Sequence, residues 1–283
     1  MAIRRDNAPP SSVNGDNLLY RLLTDLIRQG GTHSQWLVEH IVADCSVWWD
    51  PAIYKQCPVL LPWAVRDPKC RGNKQKGVPD EWGAPNTGGY FRDDNSLIKG
   101  LVKALDVVGP KNGYMTGKRL ASGWVAAHIW RENKGEELAS RDPNLYSFAP
   151  NLVWLPRQIA KLSDVEGGPV QVALKSISYS LYRDVAMAGS RKRIAEKSWS
   201  YLNTPELVNS INLSKLSYFG GVEQTLKTRH RRTASVISAL EAIDNGEQLP
   251  SKIVSRRYSE GLPAVGLDAR RKLIWQLKSH LED

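Results

Sequence analysis

Between Trp48 and Tyr90 the chain carries Pro51, Pro58, Pro62, Pro68, Pro79 and Pro85, with several glycines among them. No long helix survives punctuation at that density, because each proline removes a backbone donor and clashes with the preceding turn. The chain also holds ten tryptophans, and rings of that size need a substantial interior or a stacking partner. An irregular layer pinned by tryptophan is therefore expected here, packed against regular elements on either side.

The flanking segments supply those elements. Leu18, Leu19, Leu22, Leu23 and Leu26 share one face of a helix over 17–28. Gly30-Gly31 ends it, and Thr32 or Ser34 caps a second helix running through Ala43, so the pair predicts a helical hairpin. Residues 94–105 return to helical spacing, and 109–117 read as a turn-rich loop. GWVAAHIW (123–130) is a short apolar run ending in His128 and reads as a strand; NLVWL (151–155) is a second, with a polar stretch between them. Pro156 then sits where a first helical turn begins, and a short helix follows over 158–162. Beyond Gly167-Gly168, helices are expected over 170–187, 206–216, 234–243 and 268–281, the last capped by Asp268. This divides the chain into 1–119, 120–188 and 189–283, an α+β protein that is mostly helical.

The net charge of +10 favours a polyanionic partner. The surplus is concentrated in 227–278, where eleven basic side chains face five acidic ones. The stretches KTRHRRT (227–233) and KIVSRRY (252–258) resemble phosphate-contacting arms, with Lys227, Arg229, Arg231, Arg232, Arg256 and Arg257 as candidate nucleic-acid contacts. Tyr258 is a candidate for stacking, while Trp275 is expected to pack the last helix. No segment has the roughly 18 uninterrupted apolar residues of a membrane span. The start of the chain does not look like a secretory leader. Cys45, Cys57 and Cys70 form no C-x-x-C pair, so a cytoplasmic setting without disulfides is expected.

His128 is the candidate for chemistry. It ends a strand, and Asn151 opens the next strand 23 residues later, followed by a helix. GWVAAHIWREN, a loop, and APNLVWLPRQIAKLSD together resemble the HNH, or ββα-metal, endonuclease superfamily over about 16% of the chain (46 of 283 residues). The resemblance implies a small ββα unit in which His128 is the general base and Asn151 orients it or ligates a metal. Asp164 would be a further ligand, and Arg157 or Lys161 would face the phosphate. It also implies Mg²⁺ or Mn²⁺, since a hard cation with oxygen ligands neutralises charge during phosphodiester hydrolysis. The pattern departs from the family where Ala127 replaces the acidic residue before the histidine, where Ala160 stands at a helix ligand position, and in lacking zinc-binding cysteine pairs.

Asp93, Asp94, Asn95 and Lys99 resemble the acidic–lysine site of another nuclease class, but in the wrong order, so Asp93 or Asp94 reads as a helix cap. PDEWG (79–83) is equally non-specific, and Glu132 reads as a solvated loop residue. Phosphate-binding, dinucleotide, zincin and serine-hydrolase motifs are absent. The expectation is a metal-dependent DNA endonuclease of restriction or defence type, acting as a homodimer if it cuts both strands. The competing expectation is a non-catalytic nucleic-acid-binding protein on a degenerate scaffold.

Overall fold

The computed structural model describes residues 15–67, 85–208, 211–250, 253–254 and 260–282. Cys70, the PDEWG segment, Tyr258, Arg256 and Arg257 lie outside them. The architecture is α+β. Helices α1 (Gly15–Arg28) and α2 (Gly31–Asp44) form the expected hairpin, and Tyr20, Leu23 and Ile27 turn inward. Leu19, Leu22 and Leu26 are 42%, 55% and 41% exposed, so these three leucines of the predicted stripe face outward while Leu23 faces in. The inward set is spaced i, i+3, i+7, which any helix reads as one face; in a leucine-rich helix two such faces compete, and burial chose the one carrying Tyr20.

The proline-rich segment contributes strand β1 (Val47–Trp49), the single-turn helix α3 (Pro51–Gln56) and strand β2 (Ala64–Arg66). Asp50 caps α3 by accepting from the Ala52 amide at 2.7 Å, with Pro51 at the first helical position. Strand β3 (Phe91–Asp93) pairs in parallel with β2, and helix α4 (Ser96–Val102) follows. The central sheet adds β4 (Val107–Val108), β5 (Trp124–His128), β6 (Leu152–Pro156) and β7 (Ser217–Phe219), in the order β4-β7-β1-β6-β5. β1 runs parallel to β7; the other neighbours are antiparallel. Val47, Trp48 and Trp49 are all completely buried, so β1 is covered on both faces and shows no polar alternation.

Trp49, Trp154 and Phe219 meet from three adjacent strands, with centroids 4.8–5.3 Å apart and tilted or edge-on planes. A second aromatic group centres on Trp199, whose indole donates to the Tyr54 hydroxyl at 2.9 Å while Phe148, Trp130 and Tyr179 pack around it. Trp199 belongs to helix α7 (Gly189–Ser200), reached through α5 (Arg157–Ser163) and α6 (Pro169–Tyr182). The central sheet takes strands from all three segments that the sequence pattern delimits, and one core spans them.

The C-terminal third differs from its sequence reading in two places. Among the described residues of 206–216, where a helix was expected, the structure has only the 3-10 turn Leu213–Lys215, and strand β7 follows it. Helix α8 (Val222–Asp244) is 23 residues long and absorbs the basic KTRHRRT stretch that was read as an arm preceding a helix. Helix α9 (Leu267–Ser279) closes the chain with Gly266 at its cap and Asp268 in its first turn. Its Trp275 is 73% exposed and does not pack the core, contrary to expectation, because Leu273 and Leu277 take the buried face. Among the described residues no helix is long and apolar enough to cross a membrane.

Candidate functional site

β5, β6 and α5 follow one another as strand, loop, strand and helix, with His128 paired to Leu152 in the antiparallel register. β5 is the edge strand of the central sheet, and a cavity of about 700 Å³ opens beside it. Val125, Ala126, Ala127 and His128 line it from β5, and Arg157, Ala160, Lys161 and Asp164 from α5 and its end. The start of α4 adds Asp94, Asn95 and Lys99, β2 adds Arg66, and the loop after β5 adds Arg131, Leu138 and Ser140. Alanine at 126, 127 and 160 is what leaves the space. The two positions where the family pattern has metal ligands, 127 and 160, are thus part of the cavity wall without contributing a ligand.

His128 is held through one ring nitrogen, while the other is buried beside the cavity wall. Its Nε2 lies 2.9 Å from the Tyr146 carbonyl, which can only accept, so Nε2 carries the hydrogen and Nδ1 the lone pair. The Tyr146 ring stacks on the imidazole at 5.6 Å and 24°. Tyr146 is itself held through its hydroxyl, which donates to the buried Asp93 carboxylate. His128 Nδ1 is buried without a hydrogen-bond partner among the described residues. Burial, reinforced by the Arg66 charge, lowers the imidazole pKa to about 4, against the pull of the Tyr146 carbonyl. The ring is therefore neutral at neutral pH.

Asn95 presents a second orphaned atom. It adopts a left-handed conformation (φ 76°) just before α4 and is 7% exposed. Its Nδ2 donates to the Ala126 carbonyl at 3.3 Å, which turns Oδ1 away as an acceptor with no partner among the described residues. Both neighbouring carboxylates act as caps: Asp93 accepts from the Leu97 amide at 3.0 Å, and Asp94 from the Ser96 amide at 3.1 Å. The N-cap position itself is Asn95 rather than Asp93 or Asp94 as expected, although both carboxylates accept from first-turn amides, and the sequence reading left Asn95 and Lys99 out of the site.

Asn151 is not on the cavity wall. Its Oδ1 accepts from the Trp130 amide at 2.7 Å and its Nδ2 donates to the Leu145 carbonyl at 3.1 Å, while its own carbonyl accepts from the Ile129 amide at 3.0 Å. The side chain is completely buried. A metal-ligand role for Asn151 is thereby replaced by a scaffolding one: the amide ties the backbone just after His128 to the residue just before Tyr146. Both groups that fix the His128 ring depend on that tie.

The cavity is strongly cationic. Arg66, Lys99, Arg131, Arg157 and Lys161 face it against the carboxylates of Asp94 and Asp164. Partial withdrawal of the Asp164 carboxyl from water raises its pKa, countered by Arg131 and Arg66. Arg131 also donates to the Asp164 backbone carbonyl at 3.1 Å. Among the described residues no three His, Cys, Asp or Glu side chains converge as a metal-binding group. Arg66 and Tyr146 escaped the sequence reading, since both lie in segments without periodicity.

The basic surface on α8 is separate from this cavity. Lys227 and Arg231 are exposed and Arg232 half-buried, and none lines it. Arg229 is corrected from a DNA contact to an interior residue. It is 5% exposed, and its guanidinium donates to the carbonyls of His280 at 2.6 Å and Val59 at 3.3 Å. No family model matches the chain, and neither curated proteins nor solved structures give a match.

Proposed function

We propose that the chain is a DNA endonuclease that hydrolyses a phosphodiester in the cavity beside β5. The observation that carries this reading is the His128 Nδ1 lone pair, buried and unpartnered on the wall of a cavity with five cationic side chains. Such a lone pair suits a general base, and the cations suit a phosphate and the charge that builds on it. Water attacks phosphorus while His128 Nδ1 takes its proton. The P–O bond to the leaving sugar oxygen breaks, and that oxygen takes up a proton from solvent. Asn95 Oδ1, an acceptor on the same wall, holds the water's other hydrogen. Arg157 and Lys161, with Arg66, Lys99 and Arg131, grip the phosphate. A bound dianionic transition state also offsets the Arg66 charge, making the imidazole a stronger base than in the empty cavity.

Mg²⁺ or Mn²⁺ would be held on this wall by carboxylate oxygens of Asp164 and Asp94. With two carboxylates among five cations, such an ion would bind mainly together with the substrate phosphate and would supply charge neutralisation there. Asn151 acts as a positioning residue through Trp130 and Leu145. Cutting both strands of a duplex in one binding event would call for a second copy of the chain. The second reading, a nucleic-acid-binding protein without hydrolysis, is favoured by Ala127 and Ala160 at positions that supply no ligand.

Plasmid cleavage in Mg²⁺, Mn²⁺ and EDTA, run beside His128→Ala, decides between them. Metal-dependent cutting that is lost in the variant supports the nuclease. Salt-sensitive DNA binding without cutting, unchanged in the variant, supports the binding protein.

A further inference from the structure

Arg66 lines a second recess as well, of about 250 Å³, with Val65, Asp67, Asn86, Arg92 and Arg141. Among the described residues its charge is unbalanced, with three guanidinium groups facing one carboxylate. That carboxylate is already engaged, since Arg92 Nε lies 3.4 Å from Asp67 Oδ2. The guanidinium groups of Arg66 and Arg141 have no hydrogen-bond or ion-pair partner among the described residues. The backbone imposes this gathering of like charge. β2 and β3 pair in parallel with Val65 opposite Arg92 and Arg66 opposite Asp93, and the 3-10 turn Ala139–Arg141 packs against β2. An anion entering the recess relieves the repulsion and gains charge-assisted hydrogen bonds.

We infer that this recess is a second phosphate subsite, with Arg66 shared between it and the His128 cavity, so that the substrate is a polynucleotide strand whose neighbouring phosphate docks here. The inference rests on the nuclease reading for the first cavity and extends it to the substrate's class. A mononucleotide diester fills only the first cavity; a strand fills both. The exposed Arg141 is the member least tied to the fold.

The test compares Arg141→Gln and Arg141→Lys with the wild type on two substrates, a single-stranded oligodeoxynucleotide and bis(4-nitrophenyl) phosphate, which carries one diester. Arg141→Gln is expected to lower kcat/KM on the oligonucleotide about 5- to 10-fold more than on the small diester. It should also flatten the dependence of oligonucleotide binding on log salt by about 0.7, the increment for one phosphate on a single strand. Arg141→Lys should restore most of the salt slope. Equal losses on both substrates, or an unchanged salt slope, overturn the subsite. If the wild type cleaves neither substrate the hydrolytic reading falls, while the salt slope still decides whether the recess binds phosphate.

Discussion

Acidification should destabilise this protein through His128 in a window that the structure defines. The imidazole has a pKa of about 4 in the folded chain against an ordinary value of 6.5. Because the native pKa is the lower one, the unfolded chain takes up the proton first as the pH falls. Stability is then lost from about pH 6.5 downward, and the loss levels off below about pH 4. At pH 4.5 those two values favour unfolding by about 2.5 kcal/mol, compared with almost nothing at pH 7. His128→Gln isolates the effect, since a glutamine amide can still donate to the Tyr146 carbonyl but does not titrate. Urea unfolding followed by tryptophan fluorescence, at half-unit steps from pH 7 to 4.5, measures both proteins. His280, lowered to about 3 by burial and by Arg229 and Lys197, contributes equally to each and cancels in the difference. The wild type should lose roughly 2 kcal/mol more than the variant across this range. Parallel pH profiles would refute the buried, neutral imidazole, and with it the unpartnered lone pair that the proposed chemistry uses.

Three further outcomes follow from named contacts. Asn151→Ala leaves the buried Trp130 amide and Leu145 carbonyl unpaired, and should cost about 2–4 kcal/mol in urea melts while abolishing cleavage; a loss of metal affinity with unchanged stability would instead restore the ligand reading. Arg229→Ala strips the partners from the Val59 and His280 carbonyls and should cost about 2–3 kcal/mol, with the salt slope of DNA binding unchanged; a flatter slope would return Arg229 to the DNA surface. Ala160→Leu grows a side chain from an almost fully buried position into the cavity, so it should suppress cleavage at least tenfold while costing about 1–3 kcal/mol of stability; full activity in the folded variant would place the chemistry elsewhere.

What could be read from the sequence was what repeats at short range. The strand 123–130, the strand 151–155 and the helix after Pro156 were legible because apolar runs and a proline mark them locally, and they appear as β5, β6 and α5. β1, β2, β3, β4 and β7 are two or three residues long, shorter than any period that reveals a strand. They exist because neighbours pair with them: β1 lies between β6 and β7, and neither partner is near it in sequence. Arg229 was misassigned for the related reason that a basic run does not disclose which of its members turns inward on a helix. In α8 the inward set is Thr225, Arg229, Thr233, Val236, Ile237 and Leu240, a stripe whose first half is polar.

The same distinction governs the site. A short motif could place His128 and Asp164 near one another, because both belong to one ββα unit. It could not bring Arg66, Asn95 or Lys99, which arrive on β2 and at the start of α4. Nor could it show that Tyr146, tied down by Asp93 and Asn151, selects the tautomer of His128. The lone pair at Nδ1 is therefore a property of the assembled core rather than of the histidine. It follows that substitutions off the cavity wall but within this tie, Asp93→Asn and Tyr146→Phe, should alter the pH dependence of cleavage before they alter DNA binding. Each weakens the hydroxyl–carboxylate contact that steadies the Tyr146 carbonyl, and so the group that keeps the hydrogen on Nε2. Cleavage profiles from pH 5 to 8 beside binding isotherms measure the two separately, and a loss of binding with an unmoved profile would contradict the tie.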